Sequence, residues 1–218
     1  MKPKRFAVVL AGCGVYDGSE IHEAVLTLLA IDKVGSTCQC FAPDMEQFHV
    51  INHLTGETEK QSRNVLTESA RIARGNVKKI THFDPVDFDA LIIPGGFGVA
   101  KNLCTFALDG PNGRVNPDVE SAIQRAYKAG LPIGALCIAP ALFAQVLGNI
   151  TVTIGSDPGT ARHIETLGAN HIVTKNADIV VDKENKIVTS PCYMLDSPIR
   201  IVAKGAKKTI KALIKLMD

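Results

Sequence analysis

The sequence predicts an α/β protein: a doubly wound, mostly parallel sheet with helices on both faces and a small antiparallel hairpin attached. Three observations carry this. Apolar, β-rich runs alternate with helical patterns along the chain. Those runs are continuous, as in strands buried on both faces. The 218 residues are 46% hydrophobic but only 5% aromatic with no Trp, so the core is aliphatic. No repeat, low-complexity stretch or linker divides the chain, and residues 1–218 read as a single domain.

The elements follow in order. Arg5–Ala11 is an apolar run ahead of Gly12, hence a strand. Ser19 caps a helix over Glu20–Val34, and Gly35 stops it. Thr37–Ala42 is a second strand. Pro43–Ser62 is a polar, turn-rich excursion with room for a short hairpin. Val65–Arg74 is a short helix closed by Gly75. Asp89–Pro94 is a strand running into Gly95 and Gly96, and a helix follows at Val99–Leu108. Asp109–Val115 is a loop. Asn116 with Pro117, Asp118 and Glu120 starts a helix that ends at Ala129. Leu131–Leu136 is a strand and Ile138–Leu147 its helix. Thr151–Ile154 is a strand, and a helix runs from Ser156 to about Leu167. Ile179–Asp182 and Lys186–Ser190 form an antiparallel hairpin. The last helix covers Met194–Met217, with its lysines on a solvated face.

Composition excludes several function classes. The net charge of +2 gives no field favouring nucleic acid or membrane. Six cysteines occur, with no C-x-x-C and no Cys/His cluster at zinc spacing, so no metal is expected. Cys38 and Cys40 share one face of a strand as small hydrophobes. The set fits a reducing cytoplasm better than a disulfide framework. Lys2, Lys4 and Arg5 before an apolar run ending at Cys13 look like a lipoprotein signal. The run is too short for one and reads better as a core strand, which leaves Cys13 without lipid. No run is long enough to span a bilayer. Gly12, Gly14 and Gly18 have the wrong spacing for a dinucleotide fingerprint, even with Asp44 after the second strand.

In such sheets, ligands bind beyond the carboxyl ends of the strands. The most informative end is at Cys137. Ala135 and Ala139 are the small residues that a nucleophile on a tight strand-to-helix turn requires two positions away on each side. Cys137 therefore reads as an exposed thiol at a helix N-terminus, which favours thiolate and makes it the fastest-reacting cysteine. The alternative is an inert cysteine in an apolar strand. Gly95 and Gly96 bring bare backbone N–H groups close to a ligand and, with the N–H of Ile138, suit an oxyanion hole; a plain tight turn is the alternative. Glu20, starting the first helix beside the same strand ends, is the candidate proton carrier, expected within hydrogen-bond reach of the Cys137 sulfur. His22 and Glu23 are weaker candidates. No role is assigned to Tyr16, Lys101 or Asn102.

These residues resemble the PfpI-type superfamily of class I glutamine-amidotransferase-like proteins, and within it the enhancing-lycopene-biosynthesis, glyoxalase-like subfamily. The segments that carry the resemblance are Gly12–Glu23, Val50–Gly56, Asn64–Gly75, Pro94–Gly98, Ala100–Leu103, Cys137–Pro140 and Lys186–Thr189. The resemblance implies a flavodoxin-like fold, a nucleophilic Cys137, a protonated Glu20 facing it, and a homodimer. Some members convert glyoxals to hydroxy acids without cofactor, and subfamily members are linked to isoprenoid production. The chain departs from the wider pattern. Ile138 follows Cys137 where relatives have His, and Pro191, Cys192 and Tyr193 stand where others have His-x-Glu. No His follows the strand that ends near Gly155; His163 lies further on, in a helix. Proteolysis and glutamine hydrolysis are thereby disfavoured.

The leading expectation is a cofactor-independent glyoxalase-like lyase acting on a small aldehyde or 1,2-dicarbonyl (glyoxal, methylglyoxal). Cys137 would be its nucleophile, Glu20 its proton carrier, and Gly95, Gly96 and Ile138 its oxyanion donors. The alternative is a non-catalytic redox-sensing or stress-response binding protein using the same cysteine.

Overall fold

The computed structural model describes residues 3–217. Its strands are β1 (Arg5–Val9), β2 (Thr37–Ala42), β3 (Val77–Lys79), β4 (Ala90–Ile93), β5 (Ile133–Leu136), β6 (Thr151–Val152), β7 (Asn170–His171), β8 (Val180–Asp182) and β9 (Ile187–Ser190). Its α-helices are α1 (Ile21–Lys33), α2 (Val65–Ile72), α3 (Phe106–Asp109), α4 (Pro117–Lys128), α5 (Ala139–Leu147), α6 (Pro158–Thr166) and α7 (Ile199–Leu216). The main sheet has seven strands in the order β3-β2-β1-β4-β5-β9-β8. All its pairings are parallel except β8 with β9, which is antiparallel. This is the doubly wound, flavodoxin-like arrangement that the sequence predicts.

Period-two burial divides each central strand between two cores. Ala7, Val9, Leu91, Ile93, Ile133 and Ala135 pack on the face covered by α4 and α5. Phe6, Val8, Leu10, Ala90 and Ile92 pack on the face covered by α1, α2 and α7. β1 lies between β2 and β4, and β5 between β4 and β9. The strands ending in Gly12, Gly95 and Cys137 are thus neighbours, and their carboxyl ends converge.

Several elements differ from expectation. Ser19 does not cap α1. Its hydroxyl accepts from Ala11 N at 2.8 Å, and Glu20 is the capping residue. The helix expected over Val99–Leu108 is a π-turn at Val99–Leu103, a bridge from Cys104 to Val115, and the short α3. Asn102 accounts for the break. Its buried amide donates to Ala11 O and Asp17 O, both at 2.9 Å, and accepts from Phe48 N at 2.9 Å. A regular helix would not aim that side chain at two separate loops. The strand expected at Thr151–Ile154 is the two-residue β6, which pairs with β7 outside the main sheet. The edge strand β3 and β7 were not expected; both are short and lack an apolar run. The last helix begins at Ile199 after Pro198, and residues 192–194 form a 3₁₀ turn instead.

Replacing Asn102 by Ala leaves three backbone groups unpaired where two loops meet β1. Asn102→Ala is expected to cost about 2–4 kcal/mol of stability, read from urea unfolding. A loss below about 0.5 kcal/mol, the range of ordinary surface substitutions, would show that these bonds do not anchor the loops.

Candidate active site

The site is built on the β5–α5 elbow. Cys137 has φ 59°, a left-handed conformation that strains a residue with a side chain. It persists because both flanks are fixed. Cys137 N donates to Ser190 O of β9 at 2.9 Å, and Pro140 enters the first turn of α5, where no N–H is needed. Ala135 and Ala139 are fully buried against the turn. The elbow has the form the sequence predicts.

The thiol's carboxyl partner is Glu23, one turn further along α1 than Glu20. Glu23 is fully buried, and its carboxyl lies beside the Cys137 thiol. Glu23 Oε2 accepts from Gly95 N at 2.9 Å, and Oε1 accepts from Tyr193 N at 3.0 Å. Glu20 is turned differently: its Oε2 accepts from Glu23 N at 2.6 Å as the helix cap, while its side chain lines the cavity that Cys137 faces. The carboxyl expected from Glu20 beside the sulfur is therefore supplied by Glu23. The cause is helical geometry. The cap position directs its carboxylate back onto the first turn, whereas a residue three further on projects from the helix towards the elbow.

Gly95 is the residue that lets sulfur and carboxyl meet. A Cβ at this position would lie 2.3 Å from Cys137 Cβ, 2.6 Å from Glu23 Oε2 and 2.9 Å from Cys137 Sγ. Gly96, at φ 104°, has no more room: a Cβ there would lie 2.3 Å from Glu20 N. The oxyanion donors expected from sequence are differently employed. The Gly95 N–H is spent on Glu23. The N–H groups of Gly96 and Ile138 face the Cys137 sulfur and favour its anion.

These contacts set the proton positions. Cys137 is 8% exposed, so the exposed thiol expected from sequence is instead a buried one at a cavity floor. Burial first, and the neighbouring Glu23 second, push the thiol well above its ordinary value, against the pull of the two N–H groups. Burial also raises Glu23 to about 8, with the nearby Glu20 adding to the rise. At neutral pH both partners therefore hold their protons, and the helix N-terminus does not overcome desolvation. Cys38 behaves oppositely. It is half-buried, and the neighbouring Cys40 thiol lowers it below its ordinary value.

The cavity above the elbow has a volume of ≈ 460 Å³. Val15, Phe97, Ala100, Phe106, Ile138 and Met194 make most of its wall apolar. Its polar lining groups are Glu20, Cys137, Thr160, His163 and Tyr193, with no Lys or Arg among them. Sequence reading had set His163 aside because it lies beyond the usual position, but the fold brings α6 over the elbow. Tyr193 was also missed. His22, the residue before Glu23, hydrogen bonds through Nδ1 to the Tyr193 hydroxyl at 2.9 Å. Tyr16, Lys101 and Asn102 are tied to loops instead: Tyr16 stacks on His53 at 4.9 Å, and Lys101 Nζ donates to Tyr16 O at 3.2 Å.

Two outcomes follow. Brief labelling with limiting iodoacetamide at neutral pH is expected to modify Cys38 before Cys137; peptide mapping reads the order, and Cys137 labelling first would mean that the site holds a thiolate. The raised Glu23 also destabilises the fold as pH rises. Between about 4.5 and about 8 the folded state keeps a proton that the unfolded chain has released, so stability falls across that window and levels off above it. The loss is on the order of a few kcal/mol. Urea unfolding over that window measures it, and Glu23→Gln should flatten the slope; an equal slope in both proteins would place the proton elsewhere.

Comparison with models of protein families gives no match. The chain is 45% identical to the human mitochondrial glutamine amidotransferase-like class 1 domain-containing protein 3, over 97% of this chain and 83% of that protein. It is 44% identical to the rat mitochondrial ES1 protein homolog, over 97% and 84%. A crystal structure of an isoprenoid biosynthesis protein with an amidotransferase-like domain from Ehrlichia chaffeensis superposes with TM-score 0.92 at 38% identity, covering 99% of this chain and 100% of that one. Glyoxalase III from Candida albicans shares the fold, with TM-score 0.65 at 18% identity over 99% of this chain and 98% of that one. The cytoplasmic location expected from the cysteines is corrected, since these curated relatives are mitochondrial proteins; free thiols report reducing conditions, not the membrane that encloses them. By its relatives and its architecture, the chain belongs to the glutamine amidotransferase-like class 1 family that includes the ES1 proteins, on the DJ-1/ThiJ/PfpI fold.

Proposed function

We propose that the protein is a glyoxalase-like lyase that converts small, uncharged 1,2-dicarbonyls such as methylglyoxal to 2-hydroxy acids through Cys137. The observation that carries this reading is the buried Cys137–Glu23 pair at the floor of a small, mostly apolar cavity without cationic lining. Such a cavity favours a compact neutral electrophile over a phosphate, a carboxylate or a peptide. A fold neighbour that is itself a glyoxalase III agrees with the reading, and the Ehrlichia relative suggests isoprenoid metabolism as its setting.

The steps balance without a cofactor. Glu23 takes the thiol proton, and the sulfur adds to the aldehyde carbon to give a hemithioacetal. The N–H groups of Gly96 and Ile138 stabilise the sulfur anion before addition. Glu20, facing the cavity, removes the C1 proton and returns it to C2 through an enediol, leaving a thioester. Water hydrolyses the thioester, releasing the hydroxy acid and regenerating the thiol.

One observation favours the second reading, a non-catalytic redox sensor: Cys192 packs with Cys137 in one buried cluster, where an oxidised Cys137 would have a neighbouring thiol. Turnover decides between the two. Purified protein should convert methylglyoxal to lactate, with kcat/KM rising through about pH 8 as the Cys137–Glu23 pair loses its first proton. Cys137→Ala should abolish the activity, and Glu20→Gln should lower it on the order of 10²-fold. Absence of turnover, or equal turnover by Cys137→Ala, would reject the lyase reading.

A further inference from the structure

The addition step leaves one charge unanswered. When sulfur attacks a carbonyl carbon, the carbonyl oxygen becomes an alkoxide and needs a donor. The Gly95 N–H is committed to Glu23, and those of Gly96 and Ile138 favour the sulfur anion before attack. A donor that is not occupied with the sulfur before attack is found among the cavity's polar side chains. Thr160 sits in the first turn of α6 beside the capping Asp157, to which its backbone N–H donates at 2.7 Å. His163 is exposed, with its ring edge-on to Phe106 at 5.9 Å, and no hydrogen bond orients it among the described residues. Glu20 accepts from Glu23 N as the α1 cap and serves as the base for the later C1 proton. Tyr193 remains.

Tyr193 is positioned on both sides. Its backbone N–H holds Glu23 Oε1 at 3.0 Å, which ties the residue to the thiol's partner. Its hydroxyl lies 2.9 Å from Nδ1 of His22, and the two rings sit 5.9 Å apart. His22 itself is exposed to solvent. With the proton on Nδ1, His22 donates to the phenol oxygen and leaves the phenol O–H for the cavity. Burial, with Glu20, Glu23 and Cys192 nearby, raises the phenol and keeps it protonated.

We propose that Tyr193 is the acid that protonates the substrate oxygen when Cys137 adds to a carbonyl compound, and that His22 is a positioning residue that orients the phenol and restores its proton from solvent. The sulfur–carbon bond forms as the carbonyl π bond breaks. The phenol proton passes to the new oxygen, and the phenolate regains one through His22. The assignment rests on the nucleophilic role of Cys137 but not on completed dicarbonyl turnover.

Two reagents at Cys137 separate the roles. In addition to methyl vinyl ketone the sulfur bonds the terminal alkene carbon, the alkene π bond breaks and an enolate places the charge on oxygen, whereas alkylation by iodoacetamide expels iodide and develops no charge on oxygen. Both rates are followed by peptide mapping of Cys137, at a pH above the pair's first ionisation. Tyr193→Phe keeps the backbone bond to Glu23. It is expected to slow ketone addition on the order of 10²-fold while leaving iodoacetamide alkylation within about twofold. His22→Phe should shift the ratio of the two rates in the same direction by less. Equal slowing of both reagents by Tyr193→Phe would mean a structural role, and no slowing of ketone addition would remove Tyr193 as the acid; either result overturns the proposal. If the contrast holds while methylglyoxal is not turned over, the lyase reading fails and the Tyr193 assignment stands.

Discussion

The meeting of Cys137 and Glu23 over the bare Cα of Gly95 is the constraint on which the site depends. Two ionisable groups share one dry spot, and only a residue without Cβ leaves room for both. The same burial that excludes water keeps both groups protonated. The site is thus poised: a single proton must leave before the sulfur becomes nucleophilic, and the remaining charge is then shared by the pair.

The sheet order supplies the rest. β1, β4 and β5 are consecutive neighbours, so the loops after them converge without long excursions. The loop after β1 leads into α1 and delivers Glu20, His22 and Glu23 within one turn of helix. β4 delivers Gly95 and Gly96, and β5 delivers Cys137. β9, paired in parallel with β5, adds the turn that carries Cys192 and Tyr193. Four strand ends contribute to one cavity, as the topology of such sheets requires.

Much of this was legible in the sequence. Continuous apolar runs marked the central strands, and the alanines flanking Cys137 marked the elbow. What misled was electrostatic. A cysteine at a helix N-terminus reads as an activated thiol, yet the chain segments that bury it lie far away in sequence. Desolvation depends on them, and neither spacing nor composition reveals it. The choice between Glu20 and Glu23 failed for a related reason. Both start the same helix, and which carboxyl caps and which reaches the elbow depends on where the helix begins. Ser19 looked like the cap, but its hydroxyl is taken by Ala11 N.

By itself, the sequence determined the local and periodic features: the doubly wound sheet, the strand-to-helix turn at Cys137, and the glycines after β4. Each follows from backbone sterics or from side-chain period, which act over a few residues. Only the tertiary structure decided the partners. It gave the thiol to Glu23, committed the Gly95 N–H to that carboxyl, brought His163 from α6 over the cavity, and joined Tyr193 to His22 across 171 positions of chain. The physical reason is that hydrogen bonding and desolvation are fixed by distance in space, and that distance is set by which strands neighbour which in the folded sheet.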